Sequence, residues 1–250
     1  MYMKYSCLLV YVIGLCQIWL GYQVWQDDFK NLPKIELHSH LHGSIRRSTL
    51  FELAREKRLT VNMDEFEFAN KSSSEVVHKA FDLFRMIHEV VTNITVVKRI
   101  FDETIVDYMA ENTIYLEIRS TPRSLSDGTT IQSYMESLLA WIQKHNNEQG
   151  HKMMVKLIVS LDRSKTVEEA KNVTNLATRL FVEQKGRRDL VGLDYSGNPL
   201  VGKFKDFEEC FILARSVGMR ITVHTAETPA LSESKHSDEQ DDTSSILSFR

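Results

Sequence analysis

Five short runs in which apolar side chains alternate with polar ones punctuate the middle of the chain. They are KIELHSH (34–40), IYLEIRS (114–120), VKLIVSLD (155–162), LVGLDYSG (190–197) and RITVHTAE (220–227). Alternation with period two predicts strands, because successive side chains of a strand point to opposite faces. Helical spacing fills the intervals. Thr49 and Glu52 predict a capping box for a helix running through Arg55, and Val77, Phe81, Phe84 and Ile87 recur on one helix face. Further helices are expected over 94–110, 131–145, 166–182, with Thr166 and Glu169 as a second capping box, and 206–217, closed by Gly218. Beyond the second strand, one helix separates each strand from the next. That repeat implies parallel strands joined by right-handed crossovers, in a doubly wound sheet or a (β/α)₈ barrel.

The faces favour the barrel. One alternate set in the last four strands is apolar: Leu116 and Ile118; Leu157, Val159 and Leu161; Val191 and Leu193; Ile221 and Val223. The other set carries Glu117 and Arg119, Ser160 and Asp162, Asp194 and Ser196, Thr222 and His224. A doubly wound sheet, covered on both faces, favours continuous apolar runs. Polar groups toward the C-terminal ends of strands are what a barrel uses to build a site. The expected fold is therefore α/β, of the (β/α)₈ TIM-barrel type, incomplete, with about five of the eight strands present.

Composition sets the limits around this core. The 250 residues are 42% hydrophobic, ample for one large buried core. A net charge of -3 with interspersed signs offers no field for a nucleic-acid polymer. Cys7, Cys16 and Cys210 form neither a disulfide framework nor a paired metal knuckle, so the core reads as cytoplasmic. Residues 1–27 form an apolar leader. Its uncharged stretch 6–25 suits a signal peptide or membrane anchor, although Gln17, Gln23 and the lack of a clear cleavage site weigh against membrane contact. The barrel is assigned to 28–229, and 230–250, rich in Ser and acid, is expected to be an unpacked polar tail.

The chemistry gathers at strand ends. His38 and His40 stand on one face of the first strand, about 7 Å apart along the backbone, and His224 offers a third imidazole from the fifth. Three such ligands with one position left for water are a usual hydrolytic zinc arrangement. A pair of hydrogen-bonded strand-end histidines is the plain alternative. Glu227, just after His224, suits a proton carrier, or else an ordinary loop acid.

The segments LPKIELHSHLHGSI, YLEIRSTPR, VSLDRS, GLDYSGNPLVG and ITVHTAE resemble, in order and spacing, the adenosine/AMP deaminase family. They are most similar to its adenosine deaminase-like branch, which acts on N6-methyl-AMP. The resemblance implies a barrel with one Zn²⁺ ion per chain and hydrolytic removal of a 6-amino or 6-alkylamino group from a purine nucleotide or nucleoside. N6-methyl-AMP giving IMP and methylamine is the first choice, adenosine giving inosine the next. By position, His38, His40 and His224 become the metal ligands and Glu227 the proton donor to the ring. Gly197 lets the backbone approach the base. His40, His42, His88, Ser120, Thr121, Pro122, Arg123 and Asp162 surround the substrate, with Arg123 as the phosphate partner through its forked guanidinium. Without the family, Arg123 reads as a solvated loop charge and His88 as a core histidine.

Three departures qualify the resemblance. His42 stands where the family has Asp or Asn, and HTAE replaces a commoner small residue and glycine. The chain ends after the fifth strand, before the family's later histidine and its Asp-Asp pair, whose first member completes the metal shell. His236, Asp241 and Asp242 lie in a run that reads as solvated charge, not as substitutes. A C-terminally truncated product of doubtful activity is therefore expected, and a monomer if the barrel is complete. The competing readings are a catalytically inactive fragment that binds nucleotide or a partner chain, and another amidohydrolase with the same HxH. Against the binuclear amidohydrolases stands the lack of a strand-end lysine to bridge two metals.

Overall fold

A computed structural model of the protein describes residues 29–60, 73–225, 227 and 237–249. Five strands form one parallel sheet: β1 (Lys34–His40), β2 (Thr113–Ser120), β3 (Met154–Asp162), β4 (Leu190–Ser196) and β5 (Arg220–Val223). Their order in the sheet is β1-β2-β3-β4-β5, so each strand lies beside its sequence neighbours. A doubly wound sheet reverses direction at a switch point; an unbroken order is the winding of a barrel. β1 and β5 are the two edges. Ile35 and Leu37 of β1 are 64% and 53% exposed.

Besides helical residues at 29–31, seven helices lie among the described residues: α1 (Arg47–Glu56), α2 (Ser73–Val90), α3 (Ile94–Ala110), α4 (Ile131–Gln149), α5 (Val167–Glu183), α6 (Phe204–Ser216) and α7 (Ser237–Ser248), with a 3-10 turn at His42–Ser44. Spacings of three and four place Val97, Ile100 and Phe101 of α3, and Tyr134, Leu138 and Ile142 of α4, on the sheet. Ala170, Val173 and Ala177 of α5 and Phe207, Phe211 and Ala214 of α6 repeat the pattern. They bury Leu116, Ile118, Leu157, Val159, Leu161 and Leu193, the expected helix-facing set of the strands. Phe204 and Phe211 stack 5.2 Å apart, and Tyr195 meets both edge-on.

Element ends follow local chemistry. The Thr166–Glu169 capping box forms as expected, Thr166 Oγ1 accepting from the Glu169 amide at 3.2 Å and Glu169 Oε2 from the Thr166 amide at 3.0 Å. Gly218, at φ +92°, closes α6: its amide donates to Arg215 and that of Met219 to Ala214. α4 runs past the expected 145 to Gln149. There Asn146 bonds both the amide and the carbonyl of Val155 and reaches Asp189, stitching the helix end to β3.

Two expectations fail here. Thr49 and Glu52 form no cap, since α1 already starts at Arg47. Thr49 donates to Glu103 at 2.6 Å, and Glu52 pairs with Arg99 at 2.7 Å. The tail is also not wholly unpacked. Residues 228–236 lie outside the described set, but Ser237–Ser248 is helical, and Ile246 and Phe249 pack on the core beside Phe204 and Phe211. Burial of those two apolar groups outweighs the polar composition around them.

No helix among the described residues is long and apolar enough to cross a membrane. The leader, for which a signal or anchor is weighed above, lies outside them. Phe211→Ala is expected to destabilise the fold by about 3–5 kcal/mol, because it empties a fully buried site. Thr166→Ala, which removes only the exposed cap, should cost about 1 kcal/mol. Urea unfolding of both variants gives the comparison.

Candidate metal centre and substrate cavity

β1 delivers His38 and His40 two residues apart on the inner side of the sheet, and the segment leaving β5 delivers His224. β5 ends at Val223, shorter than the expected run to 227, yet the His224 amide still donates to the Tyr195 carbonyl at 2.8 Å. This bond holds the residue at the sheet's rim. The three Nε2 atoms lie 3.2 Å (His38 to His40), 2.8 Å (His38 to His224) and 3.0 Å (His40 to His224) from one another.

That triangle fits a metal. Ligand bonds of 2.0–2.1 Å at tetrahedral angles set nitrogens about 3.3 Å apart. Hydrogen bonds alone satisfy it poorly. His224 Nδ1 faces Asp194 Oδ1 at 3.2 Å and the Tyr195 carbonyl at 3.1 Å, both acceptors, so its proton belongs on Nδ1 and its Nε2 presents a bare lone pair. Two more imidazole nitrogens crowd that lone pair, an arrangement that a shared cation resolves. Burial first, then its neighbour His224, hold His40 down at about 4, and burial with the Arg119 charge lowers His38, so both are neutral at pH 7. At His224 burial also acts downward, but the bond to Asp194 outweighs it and the net shift is upward. Metal binding at this nitrogen would release whatever proton it holds.

Beneath the histidines lies a buried polar network. Asp194 has no exposed surface; its Oδ1 accepts from Arg119 Nη1 at 3.0 Å and its Oδ2 from Ser160 Oγ at 2.8 Å. Burial would raise its pKa, but the His224 bond and the Arg119 charge outweigh burial, so the carboxylate stays ionised. Arg119 and Asp194 stood out in the sequence only as polar strand positions. Their pairing depends on the register of three strands, which sequence alone does not fix.

The histidines open into a cavity of about 430 Å³, the size of a small-ligand site. Glu227 lines it, is exposed, and lies close enough to raise the pKa of His224. His42, His88, Ser120, Thr121, Asp162 and Gly197 line it too, with Phe81, Phe84 and Arg85, which sequence reading did not assign to the site. Gly197 sits at φ +101°, and a Cβ there would stand 2.3 Å from Asp162 Oδ1. The glycine thus leaves room for the Asp162 carboxylate, which also accepts from Ser164 Oγ at 2.7 Å.

His42 is buried against Tyr134, whose hydroxyl lies 3.2 Å from His42 Nε2 and 2.8 Å from Ser120 Oγ. Burial, then the Arg123 charge, hold His42 at about 3; the same two causes hold His88 at about 4. Arg123 and Pro122 are not part of the cavity wall. Pro122 is buried, and the Arg123 guanidinium donates to the carbonyls of His88 at 3.4 Å and Val91 at 2.5 Å, where α2 ends. The guanidinium therefore closes a helix C-terminus, a common place for a cation, and acts on the cavity through its field.

The sequence profile of the adenosine deaminase family matches residues 33–236, and the chain belongs to that family. Its relatives include the N6-mAMP deaminase of Arabidopsis thaliana, 38% identical over 226 residues, which span 80% of this chain and 61% of the relative. The N6-methyl-AMP deaminase of Homo sapiens is 31% identical over 204 residues, 81% of this chain and 57% of that protein. The crystal structure of Arabidopsis ADAL complexed with GMP superimposes with a TM-score of 0.72 at 34% identity, over 90% of this chain and 64% of that one. The chain spans about three fifths of the length of the relatives it matches. Its sheet corresponds to five consecutive strands of a (β/α)₈ barrel.

Tyr134→Phe removes one oxygen that joins two buried polar side chains. Leaving His42 and Ser120 without it is expected to cost about 1–3 kcal/mol, read from the urea midpoint with unchanged helix content.

Proposed function

We propose that this chain carries the catalytic half-site of a zinc-dependent hydrolytic deaminase acting on a 6-alkylamino or 6-amino purine nucleotide, with N6-methyl-AMP as the preferred substrate. The convergence of His38, His40 and His224 Nε2 atoms, beside Glu227 in one cavity, carries this reading. These histidines would hold the ion. When bound, zinc lowers the pKa of a water ligand to about 7, which makes hydroxide available at neutral pH.

The chain's own groups account for the remaining needs. Asp194 keeps the Nδ1 proton of His224 directed at itself, which fixes the ring so that Nε2 faces the cavity. Glu227 gives a proton to the purine ring nitrogen as water's oxygen joins C6; the C6–N bond then breaks and methylamine leaves with a proton. The sum is N6-methyl-AMP plus water giving IMP plus methylamine. His42 and His88, neutral, and Ser120, Thr121 and Asp162 offer hydrogen bonds to the ribose and phosphate. Arg123 adds positive potential behind His42 and His88, and Arg85, paired with Asp82, lies at the wall. The nucleotide reading is supported by the ligands of the Arabidopsis structures, GMP and IMP.

A second reading is a non-catalytic chain that binds nucleotide or a partner polypeptide. The exposed edge residues Ile35 and Leu37 favour it.

Purified protein is expected to carry one zinc by elemental analysis and to change the purine absorbance on adding N6-methyl-AMP, faster than with AMP or adenosine. Chelation should abolish turnover and zinc should restore it. Glu227→Gln should keep the metal and lose at least about 100-fold in kcat. Nucleotide binding without turnover, with or without zinc, selects the second reading.

A further inference from the structure

We propose that Arg119 is the positioning residue of the metal centre, one guanidinium that ties the two histidine-bearing segments into a single rigid unit. The inference rests on the metal-binding part of the reading above. Arg119 sits on β2, which contributes no histidine, and is 3% exposed. Its Nη2 donates at 2.7 Å to the carbonyl of Leu37, the peptide that leads into His38. Its Nη1 donates at 3.0 Å to Asp194 Oδ1, the same oxygen that His224 Nδ1 approaches at 3.2 Å. A continuous path therefore runs from the backbone of β1 through Arg119 and Asp194 to the His224 ring.

The sheet does not supply this link. β1 and β5 are its two edges, with three strands between them, so their backbones share no hydrogen bond. Strand twist and small register shifts accumulate over that span; the pairing of β1 with β2 and of β3 with β4 contains such irregularities. Ligand nitrogens nevertheless have to meet within a few tenths of an ångström for a tetrahedral ion. A planar fork fixes two directions at once, which a lysine ammonium does not.

Stability gives a poor account of the residue. Arg119 Nε is buried and lacks a hydrogen-bond partner, and a buried ion pair is often no better for the fold than apolar packing.

The test uses Co²⁺, whose visible spectrum reports ligand geometry, titrated into the metal-stripped 250-residue chain without nucleotide. Arg119→Ala is expected to bind Co²⁺ roughly 10- to 100-fold more weakly than the parent, with guanidinium ion at tens of millimolar recovering most of the affinity. Arg119→Lys should stay weak and resist that rescue. In an Asp194→Asn background the Arg119→Ala change should add little, because both act along one path. Parental Co²⁺ affinity in the Ala variant overturns the proposal, as does a loss that guanidinium leaves untouched and that adds in full to that of Asp194→Asn. If circular dichroism shows the Ala chain unfolded, the Lys variant decides, and parental affinity there overturns it. A parent that binds no Co²⁺ sinks the metal reading itself, whereas one that binds Co²⁺ without turning over nucleotide leaves the role of Arg119 intact.

Discussion

Parallel pairing of consecutive strands is the constraint on which everything else in the molecule depends. Each helix returns the chain to the same end of the sheet, so all five strands finish at one rim. Residues 186 positions apart, His38 and His224, thereby come within 2.8 Å. On the inner side of the sheet Arg119, Ser160 and Asp194 are buried, and a buried charge needs a partner. Arg119, Asp194 and Ser160 meet that need among themselves, and the carboxylate's remaining capacity is turned on the imidazole. The support of the candidate ligands is thus made from the same groups that the lumen has to neutralise.

The cavity joins two electrostatically different ends. At one end three imidazole nitrogens and the Glu227 carboxylate favour a cation. At the other, His42 and His88 are held neutral with the Arg123 charge behind them and the Asp162 carboxylate opposing it. A nucleotide has this polarity, with basic nitrogens at one end and phosphate at the other.

Much of this was legible in the sequence because the strands are two-faced. Apolar Leu157, Val159 and Leu161 against polar Ser160 and Asp162 distinguished a lumen from a helix-covered face, and the unbroken strand order agrees. The imidazoles were legible because two share one strand. What stayed hidden depends on contacts between distant residues. Thr49 and Glu52 have the spacing of a cap, but their partners, Glu103 and Arg99, lie 54 and 47 residues away. Arg123 follows a strand, where anions and helix carbonyls compete for a guanidinium, and the end of α2 wins it. The tail's acid-rich composition concealed Ile246 and Phe249, whose burial makes the segment adhere.

That tail touches the site's own loop. Thr243 of α7 and Thr225, the residue after His224, share a hydroxyl hydrogen bond of 2.9 Å. Phe249 is clamped between the α6 aromatics and the Arg215 guanidinium, 4.0 Å above its ring. Load applied at the carboxyl terminus would reach the candidate ligand His224 through only a few side chains. A purification handle or reporter fused there is therefore no passive appendage.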